Sequence, residues 1–376
     1  MINNIIIGRN IHLPAWLGFA ATAEYALPHF RVLYYYEAGY LRPENLFMQY
    51  RNSHRIGASV SEIGLGCWQL GAADWGDVPE QRAMEILHAA DQTGVTFFDT
   101  ADVYGSGRSE TLIGQYFKSR PASAKPVFVA TKLGRLNGYP DGYTADLLRE
   151  CTLRSIERLG VAALDLTQLH CIPMRHLQAG HVFDWLRKLK DEKLIRHFGA
   201  SVETVQEAQI CLQQPDCDSL QIIFNIFRQK PIDDLFAEAK EKGVAIIVRL
   251  PLASGLLAGT YHRDTAFAPS DHRTYNRNGE KFNVGETFAG LEFSRGVELA
   301  DRVKAWVPKN QTMAEFAIRW ILDHDAVTTV IPGASKPQQA LANAKASDFS
   351  PLPADVHNQL RELYATHIAG SIRGPY

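Results

Sequence analysis

From residue 61 onward, short runs of apolar, β-forming residues alternate with longer stretches whose apolar positions recur at helical spacing. That alternation is the pattern of a parallel α/β fold. Strands are predicted at 62–66, 95–99, 127–132, 165–170, 195–200, 219–224, 244–249 and 328–332. Between the first two, Asp77-Val78-Pro79-Glu80 predicts a helix start with Asp77 as cap, Ile86, Leu87 and Ala90 form its apolar stripe, and Gly94 ends it. Thr144 predicts a second cap, followed by Leu147, Leu148, Cys151, Ser155, Ile156 and Leu159 at helical spacing before Gly160. Ile232, Leu235, Phe236 and Ala239 predict a third helix, stopped by Gly243.

Eight such units in ~300 residues favour a single (β/α)8 TIM barrel of the α/β class over a two-domain arrangement. A doubly wound sheet is the competitor, but Gly64-Leu65-Gly66-Cys67-Trp68-Gln69 does not complete the G-x-G-x-x-G fingerprint. The irregular stretch 253–286 carries His262, Arg263, His272, Arg273, Arg277 and Gly279. A connection that long is usually functional, and we expect it to cover the barrel mouth.

Composition narrows the setting. Of the 376 residues, 46% are apolar and 21% charged, as in ordinary soluble globular proteins. A formal net charge of −2 and the lack of a basic run give no reason to expect nucleic acid or a membrane surface. The five cysteines are odd in number and scattered, with no C-x-x-C pair and no Cys/His cluster. Neither a disulfide framework nor a metal site is expected, and a reducing cytoplasm is the simplest compartment.

The chemistry lies at the predicted strand ends. The second strand ends in Asp99, and Tyr104 follows in a glycine-rich turn. The third ends in Lys132 and the fourth in His170. At the C-terminal ends of successive barrel strands these side chains would converge on one mouth. Individually, Asp99 reads equally as a cap, Tyr104 as a packed loop residue and His170 as a core histidine. Together they suit carbonyl reduction. A nearby lysine cation is expected to lower the tyrosine pKa from ~10, and Asp99 would hold that cation in place.

With FDTADVYG, ATKLG, DLTQLH, FGAS, QIIFN, PLASGLLAG and IPGASKPQQALAN in this order, the chain from about Met48 to about residue 370 resembles the aldo-keto reductases. The resemblance implies hydride transfer from a reduced nicotinamide to a carbonyl carbon, with Tyr104 protonating the oxygen and His170 orienting it. It also implies that Ser201 and Gln221 hold the nicotinamide carboxamide. Val202 stands where the family often has asparagine, and Arg249 where many members stack a tyrosine on the nicotinamide. Leu252, Ser254 and Gly255 match the pyrophosphate loop, and Gly333, Ser335, Lys336, Gln339 and Asn343 the adenosine end. Lys336 could pair with a 2′-phosphate, so NADP is favoured over NAD, although Ser335 stands where NADP-preferring members commonly carry arginine.

Trp68, Gln69, Trp75 and Met174, with Ile172 and Pro173, are expected to flank the substrate, a small carbonyl compound or sugar-like alcohol. A nicotinamide-binding regulatory subunit with the same barrel and little turnover is the alternative, and a barrel isomerase or lyase is disfavoured by the missing metal-ligand cluster. The sequence assigns no oligomeric state.

Residues 1–47 stand apart. The stretch 24–47 is rich in aromatics with neither strand nor helix period, and Trp16–Glu24 only loosely imitates an export signal too short to span a bilayer. Met48-Gln49-Tyr50-Arg51-Asn52 looks like the usual start of such a reductase. Residues 1–47 are therefore expected to be an upstream start-site artefact or a disordered extension, and 48–376 the barrel.

Overall fold

The computed structural model describes residues 24–27, 30–33, 48–72, 74–76 and 78–376. Met1–Leu46 and Phe47–Tyr376 form separate units. In the first, Glu24–Leu27 pairs antiparallel with Phe30–Leu33. The remainder of the expectation for 1–47, and the cap assigned to Asp77, lie outside the described residues.

In the second unit eight parallel strands follow one another in chain order. They are β1 (Leu65–Gly66), β2 (Phe97–Asp99), β3 (Phe128–Leu133), β4 (Leu164–His170), β5 (Ile195–Ser201), β6 (Ser219–Ile223), β7 (Ala245–Arg249) and β8 (Val327–Val330). Parallel bridges from Ile63 to Val330 and from Gly66 to Gly333 join the first strand region to the last. The sheet therefore closes into the expected (β/α)8 barrel. Every predicted strand is present, with ends displaced by a few residues. The first is shorter than 62–66 because only Leu65 and Gly66 ladder with β2. The last stops at Val330, before Pro332, which has no N–H to donate.

The helices start where local chemistry can satisfy their first amides. Glu80–Gln92 begins directly after Pro79. Thr144 Oγ1 accepts the Leu147 N–H at 3.1 Å and opens Ala145–Leu159, and Gly160 closes it with φ 68°. The third predicted helix is two pieces, Pro231–Asp234 and Phe236–Glu241. They break at Leu235 (φ −138°), whose side chain is buried.

The N-terminal end of the barrel is plugged. A hairpin of Tyr50–Ser53 and Ala58–Ser61 brings Ile56 and Val60 against Phe97, Ala130, Leu166, Ala245, Ile247 and Ile331 from the barrel wall. Arg51 fastens it by donating to Glu62 and to the carbonyls of Leu322 and Val327. With the bottom filled by apolar side chains, the polar strand ends are left at the opposite face.

Candidate active site

Asp99, His170, Ser201 and Arg249 are the last residues of β2, β4, β5 and β7, and Lys132 is one short of the end of β3. Lys132 is fully buried and donates from Nζ to Asp99 Oδ1 at 2.5 Å, to the Thr100 carbonyl at 2.8 Å and to the Tyr104 hydroxyl at 3.2 Å. Gln221 Nε2 donates to the other Asp99 oxygen at 2.7 Å. Tyr104 sits in a turn whose Gly105 and Gly107 take φ values of 60° and 93°. Its ring lies parallel to Trp68 at 5.8 Å and edge-on to His170 at 5.8 Å. The four residues singled out in the sequence thus meet at one point.

Burial pushes the Tyr104 phenol up to about 12, outweighing the downward pull of Lys132. The sequence expectation of a lowered value is corrected: the cation acts as supposed, but desolvation is stronger. Burial works against the Lys132 ammonium too, yet Asp99 and Tyr104 hold its pKa above the ordinary lysine value. His170 is driven well below the usual histidine range by burial and by the charges of Arg135, Lys132 and Arg249. Its imidazole is therefore neutral at neutral pH, and Nδ1 has no hydrogen-bond partner.

These groups open into a cavity of about 810 Å3. Asp99, Tyr104, His170, Gln221, Arg249, Leu252, Ser254, Gly255, Gly333, Ser335 and Gln339 line it, with Trp68, Gln69 and Trp75. Ser201 stands just behind, its Oγ 3.4 Å from Gln221 Oε1. Asn343 donates to the Gly333 carbonyl at 3.3 Å, and Lys336 is exposed outside the lining. Met174 begins the helix Met174–Ala179 and lies outside the cavity lining. Gln69 packs against Gly333, where an added Cβ would lie 2.2 Å from Gln69 Oε1. Ser254 Oγ already bonds the Glu286 carbonyl and the Phe288 N–H, both at 3.1 Å. Gln339 Oε1 is likewise engaged, accepting from Ser335 N, Ser335 Oγ and Lys336 N.

An elongated dinucleotide fits this lining. Gly255, at φ 100°, and Gly333 line the cavity where a Cβ would strike Tyr261 Oη and Gln69 Oε1, each at 2.2 Å. Gln69 Oε1 and Arg249 Nε are buried polar atoms without partners, both in residues that line the cavity. The helix Pro337–Lys345 points its N-terminus at the same end.

Several functional residues escaped the sequence reading. Glu286, at the end of the long loop, accepts from Arg135 Nη1 at 2.9 Å and lies 3.6 Å from Arg249 Nη1. Burial works against its charge, but the two guanidiniums hold Glu286 down at about 2. Glu203 beside it is raised to about 7 by burial and by the Glu286 charge. Cys171, Glu203 and Glu286 bring ligand-type atoms within 4.8 Å of one another, and the guanidiniums of Arg135 and Arg249 already pair with Glu286 there. Arg135 follows the ATKLG motif directly, which was the available signal. Asp74 is another: its carboxylate accepts from Trp68 Nε1 at 2.9 Å and from the Tyr275 hydroxyl at 2.5 Å.

The loop expected to cover the mouth does so. Ser254, Gly255, Tyr261, Arg273, Tyr275, Lys281, Phe282 and Glu286 all line the cavity. Its far end is fastened by Arg373, which donates to the Gly290, Leu291 and Arg277 carbonyls and to Asn278 Oδ1 at 2.9–3.2 Å. All five cysteines are buried and free. Among the described residues no helix is long and apolar enough to cross a membrane.

The sequence model of the Aldo/keto reductase family matches residues 62–365. The NADH-specific methylglyoxal reductase of Escherichia coli is 26% identical over 326 residues, covering 81% of this chain and 95% of that protein. A probable voltage-gated potassium channel subunit beta of Arabidopsis thaliana is 26% identical over 325 residues, covering 81% and 93%. Among solved structures, the holo form of the aldo-keto reductase AKR11C1 from Bacillus halodurans superposes with a TM-score of 0.68 at 24% identity, covering 88% of this chain and 98% of that one.

Proposed function

The chain belongs to the aldo/keto reductase family of oxidoreductases, and on that premise we propose that it reduces aldehydes or ketones, or oxidises sugar-like alcohols in reverse, with NADP(H) preferred and NAD(H) accepted. The observation that carries this reading is the Lys132 ammonium, shared between Asp99 and the Tyr104 hydroxyl beside a neutral His170. When bound, the reduced nicotinamide supplies the hydride.

Tyr104 holds the proton that the developing alkoxide takes. With its pKa near 12 the phenol is fully protonated at neutral pH, as a general acid must be. Lys132, 3.2 Å away, faces the phenolate left after transfer and returns part of its cost as Coulombic attraction. Neutral His170 offers an N–H to the substrate oxygen without competing for the proton. Trp68 stacks on Tyr104 and fixes its ring, and Asp99 and Gln221 fix the lysine. Gln221 is thereby committed to Asp99 as well as available to a carboxamide.

The test couples binding to turnover. NADPH and NADH affinities are measured by nicotinamide fluorescence, and reduction of an aldehyde panel by loss of absorbance. Tight binding with turnover is expected. Binding without turnover of any carbonyl would favour a regulatory subunit on the same barrel, and absence of binding would overturn both.

A further inference from the structure

Arg135 is a cation facing the cavity with unused donors. It follows β3, across the ring from β7, and meets the β7 side through Glu286, which also pairs with Arg249 and accepts from Ser254 at its carbonyl. Among the described residues Nη1 bonds Glu286, while Nε and Nη2 make no hydrogen bond. Phe282 lies against the guanidinium, 5.1 Å from its centre, and holds its plane. After burial, the Arg135 charge is the largest cause that lowers the His170 imidazole, and both side chains line the same cavity.

Local charge does not cancel. Glu286 serves both Arg135 and Arg249, and Glu203, raised to about 7, adds only part of a second negative charge at neutral pH. Lys281, next to Phe282, is exposed on the same rim and forms no ion pair among the described residues. Phe282, packed on Arg135, continues into an aromatic wall with Trp68 and Trp75.

Resting on the reductase reading above, we propose that Arg135, with Lys281 at the rim, selects carbonyl substrates that carry an anionic group, a carboxylate or a phosphate, beyond the reacting carbon. Nε and Nη2 of a guanidinium form a fork that matches two oxygens of such a group. Phe282 packs on the guanidinium that carries this fork, and the aromatic wall takes the carbon chain between the anion and the carbonyl.

Two substrate pairs test this: succinic semialdehyde against butanal, and glyceraldehyde 3-phosphate against glyceraldehyde. The expected result is a preference for one or both anionic members of about 10- to 100-fold in kcat/KM, the range for a charge-assisted bond. Arg135→Met should collapse that preference mainly through KM, and Arg135→Lys should restore part of it. Which pair responds distinguishes carboxylate from phosphate. Equal kcat/KM within both pairs, or an unchanged anionic-to-neutral ratio in Arg135→Met, would overturn the assignment while leaving the reductase reading intact. Tryptophan fluorescence titrated with succinate and with inorganic phosphate reads the same site without turnover. Saturable quenching lost in Arg135→Met supports the proposal even if no carbonyl is reduced, and quenching that is absent or identical in the variant overturns it.

Discussion

The Lys132 ammonium lies 3.2 Å from the Tyr104 hydroxyl and 4.9 Å from the centre of its ring, alongside the phenol rather than ahead of it. The cation therefore supports the oxygen without blocking the side from which a substrate must approach. It also divides the labour: burial keeps the proton on Tyr104, and Lys132 makes its departure tolerable.

Replacing Tyr104 with phenylalanine keeps the ring against Trp68 and removes only the hydroxyl. Folding and nicotinamide affinity should be retained, while kcat for aldehyde reduction falls by about 10²–10⁴-fold, the usual contribution of a general acid. Steady-state kinetics paired with cofactor titration checks this. Near-normal turnover with cofactor bound would overturn the mechanism.

Lys132→Met leaves Asp99 buried with Gln221 as its main remaining partner. Breaking a buried pair on one side typically costs about 3–5 kcal/mol. Chemical denaturation should show a loss of that size, and the double variant Asp99→Asn/Lys132→Met should recover part of it. A single variant as stable as the parent would mean that the pair contributes nothing to the fold.

Lys336 is exposed beside Ser335 and Gln339, at the cavity end assigned to adenosine. Lys336→Ala should weaken NADPH binding by about 1–3 kcal/mol and leave NADH nearly unchanged. Equal losses for both cofactors would show that Lys336 does not meet a 2′-phosphate.

Asp102 gives a pH dependence of stability. Both its oxygens are buried without hydrogen-bond partners, and burial, with the nearby charge of Glu110, raises its carboxyl to about 7 from 3.8. Between those values the folded chain holds a proton that the unfolded chain has released. Stability contributed by Asp102 is therefore complete below 3.8 and declines as pH rises to about 7. Asp102→Asn should flatten that decline in denaturation midpoints measured from acid to neutral pH, and an unchanged profile would count against it.

The eight strands could be read because parallel barrel strands are buried on both faces and appear as near-continuous apolar runs. Their functional ends were legible only jointly: a carboxylate, an ammonium or an imidazole closing one such run has an ordinary structural explanation, whereas all three closing successive runs do not. Boundaries were less so, since Val330 and Ile331 look alike in sequence and differ only in what they ladder with. The break at Leu235 was hidden because an interrupted helix keeps the same spacing of apolar residues. Charged partnerships across the mouth were hidden altogether. Arg135 and Glu286 lie 151 positions apart, and no local pattern announces their meeting. The direction of the Tyr104 shift was missed because proximity of a lysine can be guessed from order, whereas the depth of burial cannot.

The grip of Arg373 has a kinetic meaning. One guanidinium holds residues 277–278 and 290–291, two stretches on either side of the turn that carries Lys281, Phe282 and Glu286. Contacts sharing a single donor group are lost together, so the strap must open as one cooperative unit with the tail that carries Arg373. Arg373→Ala should therefore loosen the strap and shorten the residence of a bound nicotinamide in stopped-flow release, a control exerted from the C-terminal segment, far along the chain from the residues that do the chemistry.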